Sequence, residues 1–461
     1  MKLRHLFAAA MTVAALSLSA KAPKYIFFFI GDGMGPGQVM SAQTYNRLVK
    51  GPDVKLNMLS MPVASICTTY SSSSPVTDSA AAGTALATGS KTRNNMLGMN
   101  ADTVAVRSVA EDLKDKGYGV ALVTNVAPDD ATPGAFYAHV PARGMFYEIG
   151  CQAAESGVDF LAGSILRGTK GRDGRPNDLM QRFADNGMAV VRGVKNLAGV
   201  ESRRILLLNT DTVNANGGYT IDSIPGINTV AAMTDAAIAH MMKYSPKQWF
   251  MMVEGGNIDW AGHDNDGGTI LKEVLAYDQA LARALEFYKK HPNETLIVVT
   301  ADHETGGMSV GQRSVGYNCY PAFVDYQRIS KAQFGKECRA LLDSGKSVTW
   351  DEMKEYLGDK LGFWKGVPVS EKQSAALEEK FVRTFVERSG EVNHTLYHDF
   401  SEFVEAVFDH MNRTAGFGFT TPNHSGNPVP VYAIGVGAEE FGRPLDNVDI
   451  PTIIRRLANI N

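Results

Sequence analysis

A chain of 461 residues is long enough for one large α/β domain or two smaller ones. With 44% hydrophobic and 20% charged residues it has the balance of a soluble globular enzyme, which excludes a disordered or fibrous protein. Its 45 basic and 49 acidic residues leave a net charge of −4, so no global field draws it to nucleic acid or to an anionic membrane, and an anionic substrate would have to be held by local cations or metals.

The chain opens with the basic "MKLRH" and the apolar "LFAAAMTVAALSLSA", and Ala20-Lys21-Ala22 offers an A-x-A cleavage site. This reads as a secretory signal peptide over residues 1–22, hence an exported protein, periplasmic or secreted. The apolar run is short for a membrane span, and no later stretch is long and apolar enough for one. Five apolar runs then read as buried parallel strands: "KYIFFFIGDG" (24–33), "GVALVTN" (119–125), "QWFMMVEGG" (248–256), "ETLIVVTADH" (294–303) and "VPVYAIG" (429–435). Helical patterns alternate with them. The clearest covers 268–292, where Ile270, Val274, Leu281 and Leu285 recur on one face and a proline ends the run. This alternation predicts an α/β fold with a largely parallel central sheet and helices on both faces. The Gly-, Asn- and Asp-rich stretch 160–225 yields no secure element. From 312 to 420 the rhythm gives way to polar, mostly helical runs, read as an insertion into a single domain spanning 23–461.

Four cysteines occur, Cys67, Cys151, Cys319 and Cys338, with no C-x-x-C pair that would suggest a cysteine zinc or redox site. Cys67, in "PVASICTTY", reads as a buried thiol. Cys319 and Cys338 are near enough in sequence to pair in an oxidising compartment.

The apolar runs end in metal-ligand residue types. Asp32 follows the first, Asp129, Asp130 and Thr132 follow the second, Glu254 ends the third, and Asp302 and His303 end the fourth. One Asp after a strand is ordinarily a turn former or helix cap. Four such strand ends, with histidine added, point instead to a site at the carboxyl edge of the sheet. In "MVEGGNIDWAGH", Asp259 and His263 are four apart and would share a helical face, while Glu254 stays on the strand and can serve a different ion. Carboxylate with imidazole suits zinc; oxygen ligands alone suit magnesium. In "TDSAAAGTALATG" (77–89), Thr77 or Asp78 stands near an N-cap, so Ser79 falls in the first helical turn, where the dipole favours an anion. No histidine adjoins Ser79 in sequence as a base, but a metal can activate a hydroxyl.

Taken together, "GDGMG", "TDSAAAGTA", "DATPGAFYAHVPAR", "VEGGNIDWAGH", "TADHETGG" and "NHSG" make the chain resemble the alkaline phosphatases, metal-dependent phosphomonoesterases, over about residues 24–310 and 420–440. The resemblance implies their fold and small phosphomonoester substrates. It implies Ser79 as a nucleophile that becomes phosphorylated, and Arg143 as a phosphate clamp oriented by Asp78. One zinc would be held by Asp259, His263 and His424, and a second by Asp32, Asp302 and His303. A magnesium would take Asp130, Thr132 and Glu254, with Asp32 bridging. A homodimer is the family's common state, though no interface is legible. His139 lies within a motif yet reads as structural. Trp260 stands where some members carry Lys or His; it reads as packing, and leaves Arg143 as the one side-chain cation expected near the phosphate.

Three other readings compete. A sulfatase would need a C/S-x-P-x-R context, whereas Ser79 is followed by "AAAGT". A phosphodiesterase of the same superfamily would not need Arg143, which suits the extra oxygens of a monoester. An exported, non-enzymatic metal- or phosphate-binding protein would not need Ser79 beside a complete ligand set.

Overall fold

The computed structural model describes residues 22–171, 173–210 and 218–460. The signal-peptide reading falls, but for Ala22, outside the described residues. Ten strands form one sheet: β1 Tyr25–Ile30, β2 Val63–Thr68, β3 Gly119–Thr124, β4 Phe160–Ala162, β5 Met188–Arg192, β6 Arg204–Leu208, β7 Trp249–Glu254, β8 Thr295–Thr300, β9 Val429–Gly435 and β10 Leu445–Asp446. Their spatial order is β10-β2-β9-β8-β1-β7-β3-β4-β6-β5. All pairs are parallel except those of β9, which runs antiparallel to both β2 and β8. Every residue of β1, β3, β7 and β8 is buried, which explains why these strands read as unbroken apolar runs: helices cover both faces.

Two expectations change. "VPVYAIG" is a strand, but an antiparallel one. The chain reaches it from the site edge, where His424–Ser425 pairs with Glu304–Thr305 just past β8, so it must run back against its neighbours. The unassigned 160–225 stretch supplies β4, β5 and β6. These are short: β4 is buried throughout but has three residues, β6 is buried after Arg204, and β5 is only partly buried, so no long apolar run announces them.

Four helices of the 312–420 segment, Lys331–Asp343, Trp350–Leu361, Glu371–Phe381 and Glu402–Ala415, enclose a second apolar cluster containing Phe334, Phe363, Phe381 and Phe403. Each helix starts on a Ser or Thr whose side chain accepts a backbone N–H: Ser330, Thr349, Ser370 and Ser401. The cluster is pinned to the sheet domain at Asp264 and Asp266, just beyond helix Asn257–His263. Asp266 accepts from Thr269 N and Oγ1, from Gln327 Nε2 at 2.8 Å and from Lys331 N at 2.8 Å. Asp264 takes Lys331 Nζ on its carbonyl at 2.8 Å and faces His398 Nδ1 at 3.0 Å. All four cysteines are free thiols, so Cys319 and Cys338 do not pair: Cys319 Sγ turns to the Ala415 carbonyl, and Cys338 is buried in the apolar cluster. No described helix is long and apolar enough to cross a membrane.

Candidate metal centre and active site

The strands that carry the expected ligands are neighbours, in the order β8-β1-β7-β3. Their parallel register aligns Ile30 with both Glu254 and Thr300, so the residues that follow each end meet at one edge. Gly33 makes the close approach possible. Its φ is +71°, and a Cβ there would lie 2.7 Å from Asp259 Cα.

Asp32, Asp302 and His303 form one buried group, and Asp259, His263 and the half-buried His424 form another; within each, the ligand atoms lie inside 4.8 Å of one another. The histidine hydrogen bonds fix what the groups can hold. His263 Nδ1 faces the Pro422 carbonyl at 2.7 Å and His424 Nδ1 faces the Thr77 carbonyl at 2.8 Å. A carbonyl only accepts, so both Nδ1 atoms carry the proton and both Nε2 atoms present lone pairs. Those lone pairs meet 3.0 Å apart, with Asp259 Oδ1 at 3.4 and 3.5 Å. His303 Nδ1 sits 3.2 Å from Thr305 Oγ1, whose proton goes to Asp259 Oδ1 at 2.5 Å. That leaves His303 Nε2 toward Asp302 Oδ2 at 3.1 Å and Asp32 Oδ1 at 3.4 Å. The buried oxygens Asp32 Oδ1, Asp259 Oδ2 and Asp302 Oδ2 have no hydrogen-bond partner. Converging lone pairs and orphaned carboxylate oxygens are a donor set for cations, and the mixture of imidazole and carboxylate fits zinc.

The electrostatics agree. Burial, reinforced by Asp302, Asp259 and Glu254, pushes Asp32 well above the usual carboxylate range. Burial pushes Glu254 up to about 8. Burial acts on Asp259 too, but His263, His424 and His303, when protonated, outweigh it and hold its carboxyl below the ordinary range. So much carboxylate in one dry cleft calls for positive charge.

The third set is arranged differently. Thr132 Oγ1 and Glu254 Oε2 are buried with no well-formed hydrogen bond, though the Thr132 and Thr124 hydroxyls lie against the Glu254 carboxyl, and such a cluster of oxygens fits an oxygen-only ion site. Asp130 is already occupied by arginines: Oδ1 accepts from Arg143 Nη2 at 3.2 Å and Oδ2 from Arg167 Nη1 at 2.8 Å. Against its burial, these two cations hold the Asp130 carboxyl below its usual range. Arg143 is therefore not the one cation near the site. Arg167 comes from the stretch that resisted assignment and stacks over Phe146 at 3.9 Å. Asp129, just before Asp130, is structural: it accepts from Arg167 N at 2.9 Å and Gly168 N at 2.7 Å.

Ser79 opens helix Ser79–Thr88, with Asp78 as the N-cap accepting from Ala81 N at 2.9 Å. Gly83 lets this helix lie close to Thr132 and Ala135, where a Cβ would meet neighbours at 3.3 and 3.4 Å. Ser79 is 1% exposed, and its hydroxyl faces His303 Nε2 at 3.1 Å. Arg143 Nη1 is 3.6 Å from Asp78 Oδ2, and the Arg143 N–H donates to the carbonyl of Asn95, whose own N–H donates to Asp78 Oδ2. His139 stays outside the site, facing the Gly98 carbonyl at 2.7 Å and Glu111 at 3.3 Å. Trp260 packs as expected, but on an unforeseen partner, Tyr397, with ring centroids 5.0 Å apart. Tyr397, from the 312–420 segment, also meets the His263 ring edge-on at 5.2 Å. Thr305 and Tyr397, like Arg167, escaped the sequence reading. Thr305 alone had a signal, since it lies within "TADHETGG".

The alkaline phosphatase family model matches residues 23–170 and 146–460. Alkaline phosphatase 3 of Bacillus subtilis (strain 168) is 30% identical over 437 residues, covering 93% of this chain and 87% of that protein. The solved cold-active alkaline phosphatase of a psychrophilic Shewanella sp. superposes with a TM-score of 0.78 at 24% identity, over 94% of this chain and 99% of the other. A TAB5 alkaline phosphatase mutant solved with Mg in its M3 site matches with a TM-score of 0.66 at 26% identity, over 96% of this chain and 99% of that one. With two buried imidazole–carboxylate groups set beside a serine at a helix start, this chain belongs to the alkaline phosphatase family, enzymes that hydrolyse phosphate monoesters.

Proposed function

We propose that the chain hydrolyses phosphate monoesters through a phosphoserine at Ser79, with zinc at each of the two imidazole–carboxylate groups and magnesium near Thr132 and Glu254. The observation that carries this reading is the Ser79 hydroxyl, 3.1 Å from His303 Nε2 at the edge of a donor set with open valences. The oxygen-only character of the third set, and the Mg in the TAB5 relative, support magnesium there. When bound, the two zinc ions would supply Lewis acidity to the attacking and leaving oxygens.

The chain's residues do the rest. The helix N-terminus at Ser79 and the Arg143 guanidinium bind the non-bridging phosphoryl oxygens, and Asp78 and Asp130 hold Arg143 in position. Ser79 Oγ gives up its proton and forms a bond to phosphorus as the bond to the ester oxygen breaks. The alcohol leaves protonated. Water then attacks phosphorus from the side the alcohol vacated, and Ser79 Oγ leaves and regains a proton as inorganic phosphate departs. We read residues 23–461 as one catalytic domain with 312–420 inserted, reached by export after removal of residues 1–22.

The test is Ser79→Ala, acid-quenched after incubation with labelled phosphate. The wild type should retain label and the variant none, while elemental analysis finds the same metals in both. Labelling of the variant at the wild-type level would remove Ser79 from its role.

A further inference from the structure

Two consecutive acids hold one arginine. Asp129 accepts the backbone N–H groups of Arg167 and Gly168, while Asp130 Oδ2 accepts the Arg167 guanidinium at 2.8 Å. The turn that carries Arg167 is seated against the chain on both sides of these acids. A Cβ at Gly163 would fall 2.7 Å from the Val126 carbonyl oxygen, and one at Gly168 would fall 2.4 Å from the Phe146 carbonyl oxygen. The guanidinium lies over the Phe146 ring, at the start of helix Phe146–Glu155. Arg167 is thus fixed by its backbone, its charge and its flat face, although its side chain is partly exposed.

What this fixes is the geometry of Arg143. A guanidinium beside a carboxylate tends to form two parallel bonds with it. Arg143 does not. Its Nη2 reaches Asp130 Oδ1 at 3.2 Å, and its Nη1 turns instead to Asp78 Oδ2 at 3.6 Å. Arg167 holds the Asp130 oxygen that the parallel pair would need. Each terminal nitrogen of Arg143 carries two N–H bonds, so one contact on each leaves the other N–H for a phosphoryl oxygen.

We propose that Arg167 is a positioning residue of the phosphate site: it occupies Asp130 Oδ2, stops Asp130 and Arg143 from closing into a forked pair, and so keeps the Arg143 guanidinium available to the substrate. The proposal rests on the phosphomonoesterase reading. Arg167 acts through Asp130 and Arg143 and does not itself touch the substrate. Its effect must therefore vanish when Arg143 is absent. A direct pull of its own charge on the anion, or a merely structural role, would persist.

The test is a double-variant cycle on the zinc- and magnesium-loaded protein. Inorganic phosphate affinity is read by titration calorimetry, and kcat/KM on p-nitrophenyl phosphate. Arg167→Met keeps an unbranched stem over Phe146 and frees Asp130 Oδ2. It should weaken phosphate roughly tenfold, the weight of one charge-assisted hydrogen bond, with a parallel fall in kcat/KM. In the Arg143→Ala background the same change should alter either readout less than about twofold, the scatter of independent sites. Phe146→Ala, which leaves every charge in place, should weaken phosphate in the same direction by a smaller factor. Elemental analysis should find the same zinc and magnesium in all these proteins. Equal losses in both backgrounds, unchanged phosphate affinity in Arg167→Met, or loss of magnesium from it would each overturn the positioning role and leave the phosphomonoesterase reading intact. A wild type that hydrolyses no p-nitrophenyl phosphate would instead remove the reading on which the role rests.

Discussion

Asp259 and Asp266 are seven residues apart and both nearly inaccessible, yet the molecule treats them in opposite ways. Asp259 sits at the sheet edge with Oδ2 unpartnered and two imidazole lone pairs nearby. Asp266 sits at the seam to the 312–420 helices, where Thr269, Gln327 and Lys331 donate to its oxygens. Burial of a carboxylate is costly in both places. At the seam the protein's own donors offset it, and the result is a fixed joint. At the edge the valences are left open and converge, and the result is a donor set that fits a cation. The difference between a structural acid and a ligand is therefore read from the count of protein donors, not from burial.

The largest effect should come from the open side. Asp259→Asn should lose one zinc and cut monoesterase kcat/KM by about a thousandfold or more, on the order of 4 kcal/mol. Metal-free wild type and variant should unfold at about the same denaturant concentration, and a markedly less stable metal-free variant would mean that Asp259 is structural. Next comes Arg143, the cation that faces the open edge. Arg143→Ala should cost roughly 2–4 kcal/mol in transition-state terms on p-nitrophenyl phosphate, and much less on bis(p-nitrophenyl) phosphate. An equal loss on both esters would reopen the phosphodiesterase alternative.

The closed side should answer in stability. Asp266→Ala strands several buried donors and should destabilise by about 2–3 kcal/mol, measured by urea unfolding, with two zinc ions still bound. Loss of zinc without loss of stability would invert the comparison. The smallest effect belongs to Glu273, another closed carboxylate, which accepts from Thr220 N at 2.6 Å. Burial raises it from 4.5 to about 7, so between those values the folded chain keeps a proton that the unfolded chain has released. Its contribution is thus full below pH 4.5 and lost as pH rises through about 7. Glu273→Gln should match the wild type in the acid range and exceed it by on the order of 1–2 kcal/mol at pH 8. A difference that does not vary with pH would assign the effect to packing.

The open side was the legible one. Asp32, Glu254, Asp302 and His303 follow long apolar runs, because a strand buried on both faces must be apolar and the residue beyond it need not be. His424 was placed only by the motif resemblance, since nothing in "TPNHSG" reports a partner before Thr305 in the sequence. Arg167 and Tyr397 stayed hidden for a different reason. Each acts through a side chain that arrives from a segment with weak periodicity, and an ion pair or a ring contact across the fold leaves no local pattern. The strands of 160–225 were too short to stand out, and the direction of β9 depended on where the chain re-entered, which spacing does not encode.

The pairing of His424–Ser425 with Glu304–Thr305 also sets an order of assembly. Strand β9 slots between β2 and β8, both much earlier in the chain, and the histidine just before it closes the Asp259–His263 group. A chain synthesised as far as β8 and the residues just past it therefore contains Ser79 and all of Asp32, Asp302 and His303, but only two of the three residues of the other group. The Asp259–His263–His424 group is complete only once the returning strand has docked between β2 and β8.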